Sequence, residues 1–156
     1  MRFFSPLHTL SDDMVRYLTE VDGINHAALI AVAPADEGPV TRDQGYGVAR
    51  YIRSTSDPRL AEVAVTVTDD MQGRGLGTRL VETLAVAAHE RGIETFEMLV
   101  LGTNWRISHI LRRIHAEYRR RDGEVREYTV PTAALFAQNA HKHECSRPEP
   151  RANLFS

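Results

Sequence analysis

The sequence predicts an α+β domain in which helices are layered on a mixed central β-sheet with a β-α-β core. Three strand-like segments follow one another with no helix between them, which predicts an antiparallel meander. From Leu60 to Leu101 the order is strand, glycine-rich turn, helix and strand, which predicts a parallel pair with a right-handed crossover. Further along, two strand-like segments flank Asp122-Gly123, and Asp-Gly is a strong hairpin signal.

Composition limits the classes of protein to consider. The 156 residues suit one domain, and 42% hydrophobic with 26% charged residues is ordinary for a globular protein. A net charge of −2 gives no basic field for nucleic acid or an anionic membrane. Neither a membrane-length apolar run nor a signal peptide is evident. With a single cysteine, Cys145, no internal disulfide can form, and these features together predict a cytoplasmic protein.

The first half of the chain reads as a helix followed by two strands. Ser11 is a suitable N-cap for a helix from about Asp12 to Val21. A compact apolar strand is predicted at His26–Ala33, and a returning strand at Tyr46–Arg53. Between them, the prolines, glycines and charges of Pro34 to Gly45 predict an extended hairpin loop.

The second half contains the core unit and a final hairpin. Gly92 is placed where a C′ glycine ends a helix, and Pro131 is expected to stop the last strand. We therefore expect one domain over 1–131, followed by a C-terminal helix and a loose tail over 132–156. The predicted elements are strand Leu60–Thr68, helix Thr78–Arg91, strand Glu94–Leu101, helix Trp105–His115, strands Glu117–Arg121 and Glu124–Val130, and a short helix around Thr132–Asn139.

The segment Gln72-Gly73-Arg74-Gly75-Leu76-Gly77 joins a valine-rich strand to a helix. Such a turn points free backbone N–H groups outward at the positive end of a helix dipole. Glycine also allows a positive φ and a close approach of a ligand, so the segment predicts a cradle for a phosphate or pyrophosphate. It lacks the lysine of a Walker A loop and the spacing of a dinucleotide fingerprint. A plain tight turn is the alternative.

Gln72, Gly75 and Gly77 match the spacing Gln/Arg-x-x-Gly-x-Gly/Ala, and the segment resembles the acetyl-CoA loop of the GNAT N-acetyltransferases. From about His26 to Val130 the element order is similar to the GNAT fold, and the expectation is that its first strand is missing. The chain is also similar to the acetyltransferase domain of bacterial Pat-type protein lysine acetyltransferases. That likeness rests on Arg2-Phe-Phe-Ser-Pro, Leu10-Ser11, Val21-Asp22, Ala28-Leu-Ile-Ala-Val, Gly47-Val-Ala-Arg-Tyr, Ala61-Glu-Val-Ala, Gln72-Gly-Arg-Gly-Leu-Gly and Glu90-Arg-Gly-Ile.

The resemblance implies acetyl-CoA as cosubstrate and Glu62 as the general base that takes a proton from the amine. The alternative for Glu62 is a solvated carboxylate or an ion pair with Arg50 or Arg53 on the neighbouring strand. For Asn104 the alternative to a cofactor contact is a helix N-cap. The cofactor-binding residues that the resemblance implies are Val65, Val67, Gln72, Gly73, Arg74, Gly75, Leu76, Gly77, Thr78 and Asn104. A backbone N–H of Val65 or Val67 would donate to the thioester oxygen.

The general acid departs from the family pattern. Many GNAT enzymes place a tyrosine seven residues after the asparagine, but that position is Leu111 here. Tyr118 lies beyond the helix and is expected to be a core aromatic, so the thiolate would be protonated by water. In the tail, His141, His143 and Cys145 are one ligand short of a closed zinc site, and no metal is predicted.

The function that follows is acetyl transfer from acetyl-CoA to an amine, a protein lysine, by direct attack. One rival is the same chemistry on a small-molecule amine, attracted by Asp36, Glu37 and Asp43 in the hairpin loop. Another is a non-catalytic acyl-CoA-binding module, suggested by the missing tyrosine and first strand. An unpaired strand edge makes a homodimer a further expectation, and no nucleic-acid or membrane partner is predicted.

Overall fold

A computed structural model describes residues 20–33, 44–102, 104 and 107–136. Within these ranges six strands and two helices are formed, with a 3₁₀ turn at Asp69–Met71 and a helical turn over 132–136. In chain order they are β1 His26–Ala33, β2 Gln44–Arg53, β3 Leu60–Val67, α1 Leu76–His89, β4 Thr95–Leu101, α2 Ile107–Arg113, β5 Glu117–Asp122 and β6 Val125–Pro131.

The six strands form one mixed sheet in the order β1-β2-β3-β4-β6-β5. The first three make an antiparallel meander, β3 and β4 are parallel, and β6 lies antiparallel between β4 and β5. This arrangement confirms the predicted α+β class, with a β-α-β unit at the centre of a mixed sheet.

The parallel pair at the centre of the sheet is short. β3 and β4 are in register only from Leu60 opposite Thr95 to Glu62 opposite Glu97. Beyond Glu62 the two strands separate, while β3 stays paired with β2 up to Val67. β4 likewise stays paired with β6 along its whole length. The sheet therefore opens into a V at its middle, and the glycine loop lies at the wide end of β3.

The core lies between the sheet and α1. Alternate residues of β3 and β4 are buried, as expected for strands with one covered face. The helix presents buried residues at helical spacing to the same layer. The largest fully buried side chains are Tyr51, Phe96, Leu84, Ile93, Ile114, Leu135, Val81, Val130 and Thr132.

The ends of α1 follow from its glycines. Gly75 occupies the N-cap position with φ +86°, so the helix begins at Leu76, two residues earlier than predicted. Gly92 has φ +78° and donates its N–H to the His89 carbonyl at 2.9 Å, which confirms its predicted role in ending the helix.

Other boundaries differ modestly from the prediction. The tight turn of the last hairpin lies one residue further on, because Asp122 pairs with Val125 and leaves Gly123 and Glu124 as the loop. Gly123 takes the positive φ of +57° that this position requires. Pro131 is the final residue of β6 rather than the residue after it.

Several predictions lie outside the described residues. These are most of the first helix (Asp12–Val21), the proposed absence of a first strand before it, and most of the loop Pro34–Gly45 with its acidic residues. The end of the helix predicted at Thr132–Asn139 and the tail cluster His141, His143 and Cys145 lie outside them as well. Homodimerisation stays a prediction. Among the described helices, none is long and apolar enough to cross a membrane.

A carboxylate fixes the turn that leads into β1. Asp22 Oδ1 accepts the backbone N–H groups of Ile24, Asn25 and His26 at 2.7–2.8 Å. These bonds favour the charged carboxylate and lower the pKa of Asp22 to about 2, from an ordinary value of 3.8. A lowered pKa means that the stabilisation is complete above pH 3.8 and is lost as the pH falls through about 2.

We therefore expect Asp22→Ala to lower the urea midpoint of unfolding at pH 7, and the gap from wild type to shrink as the pH falls below 3.8. Urea titrations between pH 7 and 2.5 would measure it. Asp22→Asn is the matched control, since it keeps an acceptor oxygen without the charge and should show a smaller gap with little pH dependence. A gap for Asp22→Ala that stays constant down to pH 2.5 would contradict this expectation.

Candidate active site

A cleft of about 1130 Å³ fills the opening between β3 and the segment that follows β4. One wall is the end of β3 with the glycine loop, and the other is α2. Its lining residues are Val65, Thr66, Val67, Asp69, Met71, Gln72, Gly73, Gly75, Leu76, Gly77, Thr78, Asn104, Ile107, His109, Ile110, Arg112 and Arg113.

The glycine loop has the backbone conformation expected of a cradle. Gly73 has φ +74° and Gly75 has φ +86°, a region that residues with a Cβ rarely enter. Nothing lies within 4 Å of where a Cβ of either residue would be. The constraint on both positions is therefore the backbone angle rather than crowding, and space is left above the loop.

The N-terminus of α1 is suited to an anion. Gly75 provides no side-chain cap, and the first turn contains no acidic residue. The first backbone bond of the helix runs from the Arg79 N–H to the Gly75 carbonyl, so the N–H groups of Leu76, Gly77 and Thr78 have no acceptor within the helix. Free donors at the positive end of the helix dipole are the chemistry that binds a phosphate.

Two contacts hold the loop in place. The Gln72 side-chain amide donates to the Val67 carbonyl at 3.2 Å and to Asp69 Oδ1 at 2.7 Å, which ties the loop to the end of β3. Gly77 is buried, and a Cβ there would lie 2.7 Å from Ile110 Cδ1. Glycine at this position lets α1 and α2 approach closely and closes the floor of the cleft.

Most of the predicted cofactor-binding residues are brought together by the fold. Arg74 is the exception, since it is exposed and does not line the cleft. Those that do line it are Val65, Val67, Gln72, Gly73, Gly75, Leu76, Gly77, Thr78 and Asn104.

The position of Asn104 is compatible with both predicted roles, a helix N-cap and a cofactor contact. Its Oδ1 accepts the Ile107 N–H at 3.4 Å, a long bond that places Asn104 at the N-terminus of α2. The same residue lines the cleft.

Glu62 lies where the two central strands part. It is half-buried, and it is on the face of β3 opposite Ala61 and Val63, which pack in the core. Its in-register neighbours are Ile52 on β2 and Glu97 on β4. Glu62 is therefore at the vertex of the V, three residues before the cleft-lining Val65.

The basic groups predicted near Glu62 separate onto two faces of the sheet. Arg53 pairs with Ala61, on the opposite face, and donates to the carbonyls of Pro58 and Arg91, so the predicted alternative of an ion pair between Arg53 and Glu62 is wrong. Arg50 pairs with Ala64, on the same face as Glu62. Burial and the neighbouring Arg50 lower the pKa of His26, also on this face, which keeps its imidazole neutral at pH 7.

Neither of the two positions considered for a general acid, 111 and 118, supplies one to the cleft. Leu111 is buried in the core with 6% exposure and cannot donate a proton. The expectation that Tyr118 is a core aromatic is wrong: it is 56% exposed and contacts Tyr128 edge-on. The reason is that β5 is an edge strand whose residues are all exposed. Tyr118 does not line the cleft.

Sequence reasoning missed the contribution of α2 to the cleft. His109, Arg112 and Arg113 line it, and none of the three was among the predicted cofactor-binding residues. Their spacing of three and four residues places them on one side of a helix, which is the signal that could have found them. These residues reach the cleft because β3 and β4 separate beside α2, and the sequence did not show that separation.

The chain belongs to the acetyltransferase (GNAT) family, whose model matches residues 9–106. The predicted family and fold are thereby confirmed. Among individual proteins, the chain is 36% identical over 121 residues to Acetyltransferase Pat from Mycolicibacterium smegmatis. That match covers 78% of this chain and 34% of Pat, so the chain spans about a third of the length of this relative.

Two solved structures resemble the fold. The GNAT domain of S. lividans PAT superposes with a TM-score of 0.71 at 29% identity, over 83% of this chain and 74% of that one. A Bacillus subtilis acetyltransferase, solved in complex with CoA, has a TM-score of 0.56 over 78% of this chain and 84% of its own. At 15% identity the second match shows a shared fold alone.

Proposed function

We propose that this domain transfers an acetyl group from acetyl-CoA to an amine, and that the acceptor is a lysine of another protein. The observation that carries the proposal is the V between β3 and β4, with an uncapped helix N-terminus at its wide end. Family membership supports the reaction class. The likeness to Pat supports lysine as acceptor, and the CoA complex of a protein with the same fold supports the cosubstrate.

The residues of the loop suit the cosubstrate. Backbone N–H groups from Gly73 to Thr78 would hold the pyrophosphate, as the left-handed glycines and the acid-free helix start allow. Past Glu62, the side of β3 towards β4 pairs with no strand of the described sheet. Its N–H and C=O groups can bond an extended arm, as an added strand would. Acetyl-CoA supplies the thioester carbonyl that an amine attacks.

We assign the base to Glu62. A lysine ammonium has a pKa of about 10.4 in water and must lose a proton before it attacks. Glu62 is half-buried at the vertex, beside the start of the open edge of β3, and a carboxylate so placed can accept that proton directly or through one water. A backbone N–H in the stretch Val65–Val67 would donate to the oxygen that becomes negative.

Departure of the thiolate needs no side-chain acid in this proposal. Leu111 is in the core and Tyr118 is away from the cleft. Thiolates are weakly basic compared with alkoxides or amines and leave without concerted protonation. Water entering the open cleft protonates the released sulfur.

The experiment compares acceptors. Purified chain and acetyl-CoA are incubated with folded proteins, with lysine peptides and with small amines, and products are read by mass spectrometry. We expect transfer to protein lysines. The chain has one lysine of its own, Lys142, so Lys142→Arg removes self-acetylation of an ε-amine from the signal. Transfer only to small amines would overturn the acceptor class, and cosubstrate binding with no transfer at all would indicate a non-catalytic module.

A further inference from the structure

Three basic side chains of α2 line the cleft and have no role in the proposed acetyl transfer. They are His109, Arg112 and Arg113. All three are exposed on the wall that faces the glycine loop. Among the described residues that line the cleft, Asp69 is the only carboxylate, and it accepts the Gln72 amide at 2.7 Å. The α2 wall is therefore the positively charged side of the cleft.

The basic wall lies next to the proposed pyrophosphate site. Ile110 of α2 packs on Gly77, where a Cβ would come within 2.7 Å of its Cδ1. His109 precedes Ile110, and Arg113 follows it by one turn of the helix. A group attached to the pyrophosphate through a single sugar would thus reach these side chains.

The hydrogen bonds on the wall leave donors facing the cleft. Arg112 Nη2 lies 3.2 Å from His109 Nδ1. A guanidinium can only donate, so Nδ1 is the acceptor in this contact and the ring N–H is on Nε2. The wall therefore offers two guanidinium groups and an imidazole N–H, with no acceptor among them. Several donors and two positive charges are the chemistry that recognises a phosphate dianion.

We propose that Arg112 and Arg113, with His109, recognise the 3′-phosphate on the ribose of CoA and so select CoA over its 3′-dephospho form. The inference rests on acetyl-CoA being the cosubstrate. The backbone N–H groups of the loop account for the pyrophosphate, and the 3′-phosphate is the remaining anion of the molecule. The alternative is that Arg112 and Arg113 only stabilise the negative C-terminal end of α2. In that case CoA and 3′-dephospho-CoA would bind with equal affinity.

The test is calorimetric titration with CoA and with 3′-dephospho-CoA. We expect wild type to bind CoA about 10- to 100-fold more tightly, the range for one or two charge-assisted hydrogen bonds. The double variant Arg112→Gln, Arg113→Gln should bring this ratio close to one while affinity for the dephospho form is kept. The matched control is the double variant Arg120→Gln, Arg121→Gln, an equal charge change on the exposed β5 strand, and it should leave the ratio unchanged.

The outcomes separate this inference from the proposed function. If wild type binds both forms equally, or if the double variant keeps the full ratio, recognition of the 3′-phosphate by α2 is overturned and the cosubstrate stands. If wild type binds neither form, the cosubstrate assignment falls and takes this inference with it. Circular dichroism of the double variant, whose two changed side chains are exposed, establishes that it is folded.

Discussion

Glu62→Gln is expected to lower kcat by about 10²- to 10⁴-fold, the usual contribution of a positioned general base. Glutamine keeps the size and the polarity of the side chain but cannot accept the proton of the attacking ammonium. Binding of acetyl-CoA should be unchanged, because Glu62 does not line the cleft. The rate of the variant should rise with pH towards about 10.4, as free lysine amine becomes available without the enzyme's help.

The matched control is Glu97→Gln. Glu97 is the in-register partner of Glu62 on β4 and is likewise half-buried, so the substitution makes the same chemical change one strand away. We expect kcat to fall by less than about tenfold. Steady-state rates with a lysine peptide across pH 6–10 would measure both. A larger loss from Glu97→Gln than from Glu62→Gln would move the base to β4.

Gly75→Asp is expected to weaken binding of acetyl-CoA by at least about 100-fold. The new carboxylate would stand at the N-cap of α1, facing the same free N–H groups as the pyrophosphate. At roughly 4 Å and an effective dielectric constant of about 20, two like charges repel by about 4 kcal/mol. A tenfold change in affinity corresponds to about 1.4 kcal/mol, so even a partly screened contact produces this loss. Calorimetric titration would measure it.

The control for shape and backbone strain is Gly75→Asn. Asparagine has nearly the size of aspartate and tolerates the positive φ of +86° better than most residues, but it carries no charge. We expect a loss of about tenfold or less. Equal losses from the two substitutions would show that the loop is sensitive to the side chain itself, and the assignment of an anion to this helix N-terminus would lose its support.

Much of the fold could be predicted because its signals are local. β1 has the predicted bounds, His26–Ala33, since an apolar run between turn residues marks a strand. The glycine loop and α1 were likewise predictable, because Gly75 and Gly92 have positive φ angles, which few residues other than glycine adopt. The family pattern in Gln72 to Gly77 added the expected ligand.

The rest depended on contacts between distant segments. The separation of β3 from β4 after three residue pairs depends on how both strands and the connecting α1 pack together. No single residue of either strand indicates it. The exposure of Tyr118 followed from the edge position of β5, and the basic wall of the cleft from the packing of Ile110 on Gly77. The residue types showed that these side chains are polar or aromatic, but they did not show whether each would face the core, the cleft or the solvent.

The three residue pairs between β3 and β4 also make the sheet a composite of two triplets, β1-β2-β3 and β4-β6-β5. Within the described sheet, pairing between the triplets is limited to these three residue pairs. An extended ligand arm that hydrogen-bonds to the free edge of β3 would lie between β3 and β4, where a strand is absent. It would thereby add contacts between the two triplets. The cosubstrate would then be a structural member of the domain, and its binding energy would add directly to the free energy that holds the two halves as one cooperative unit.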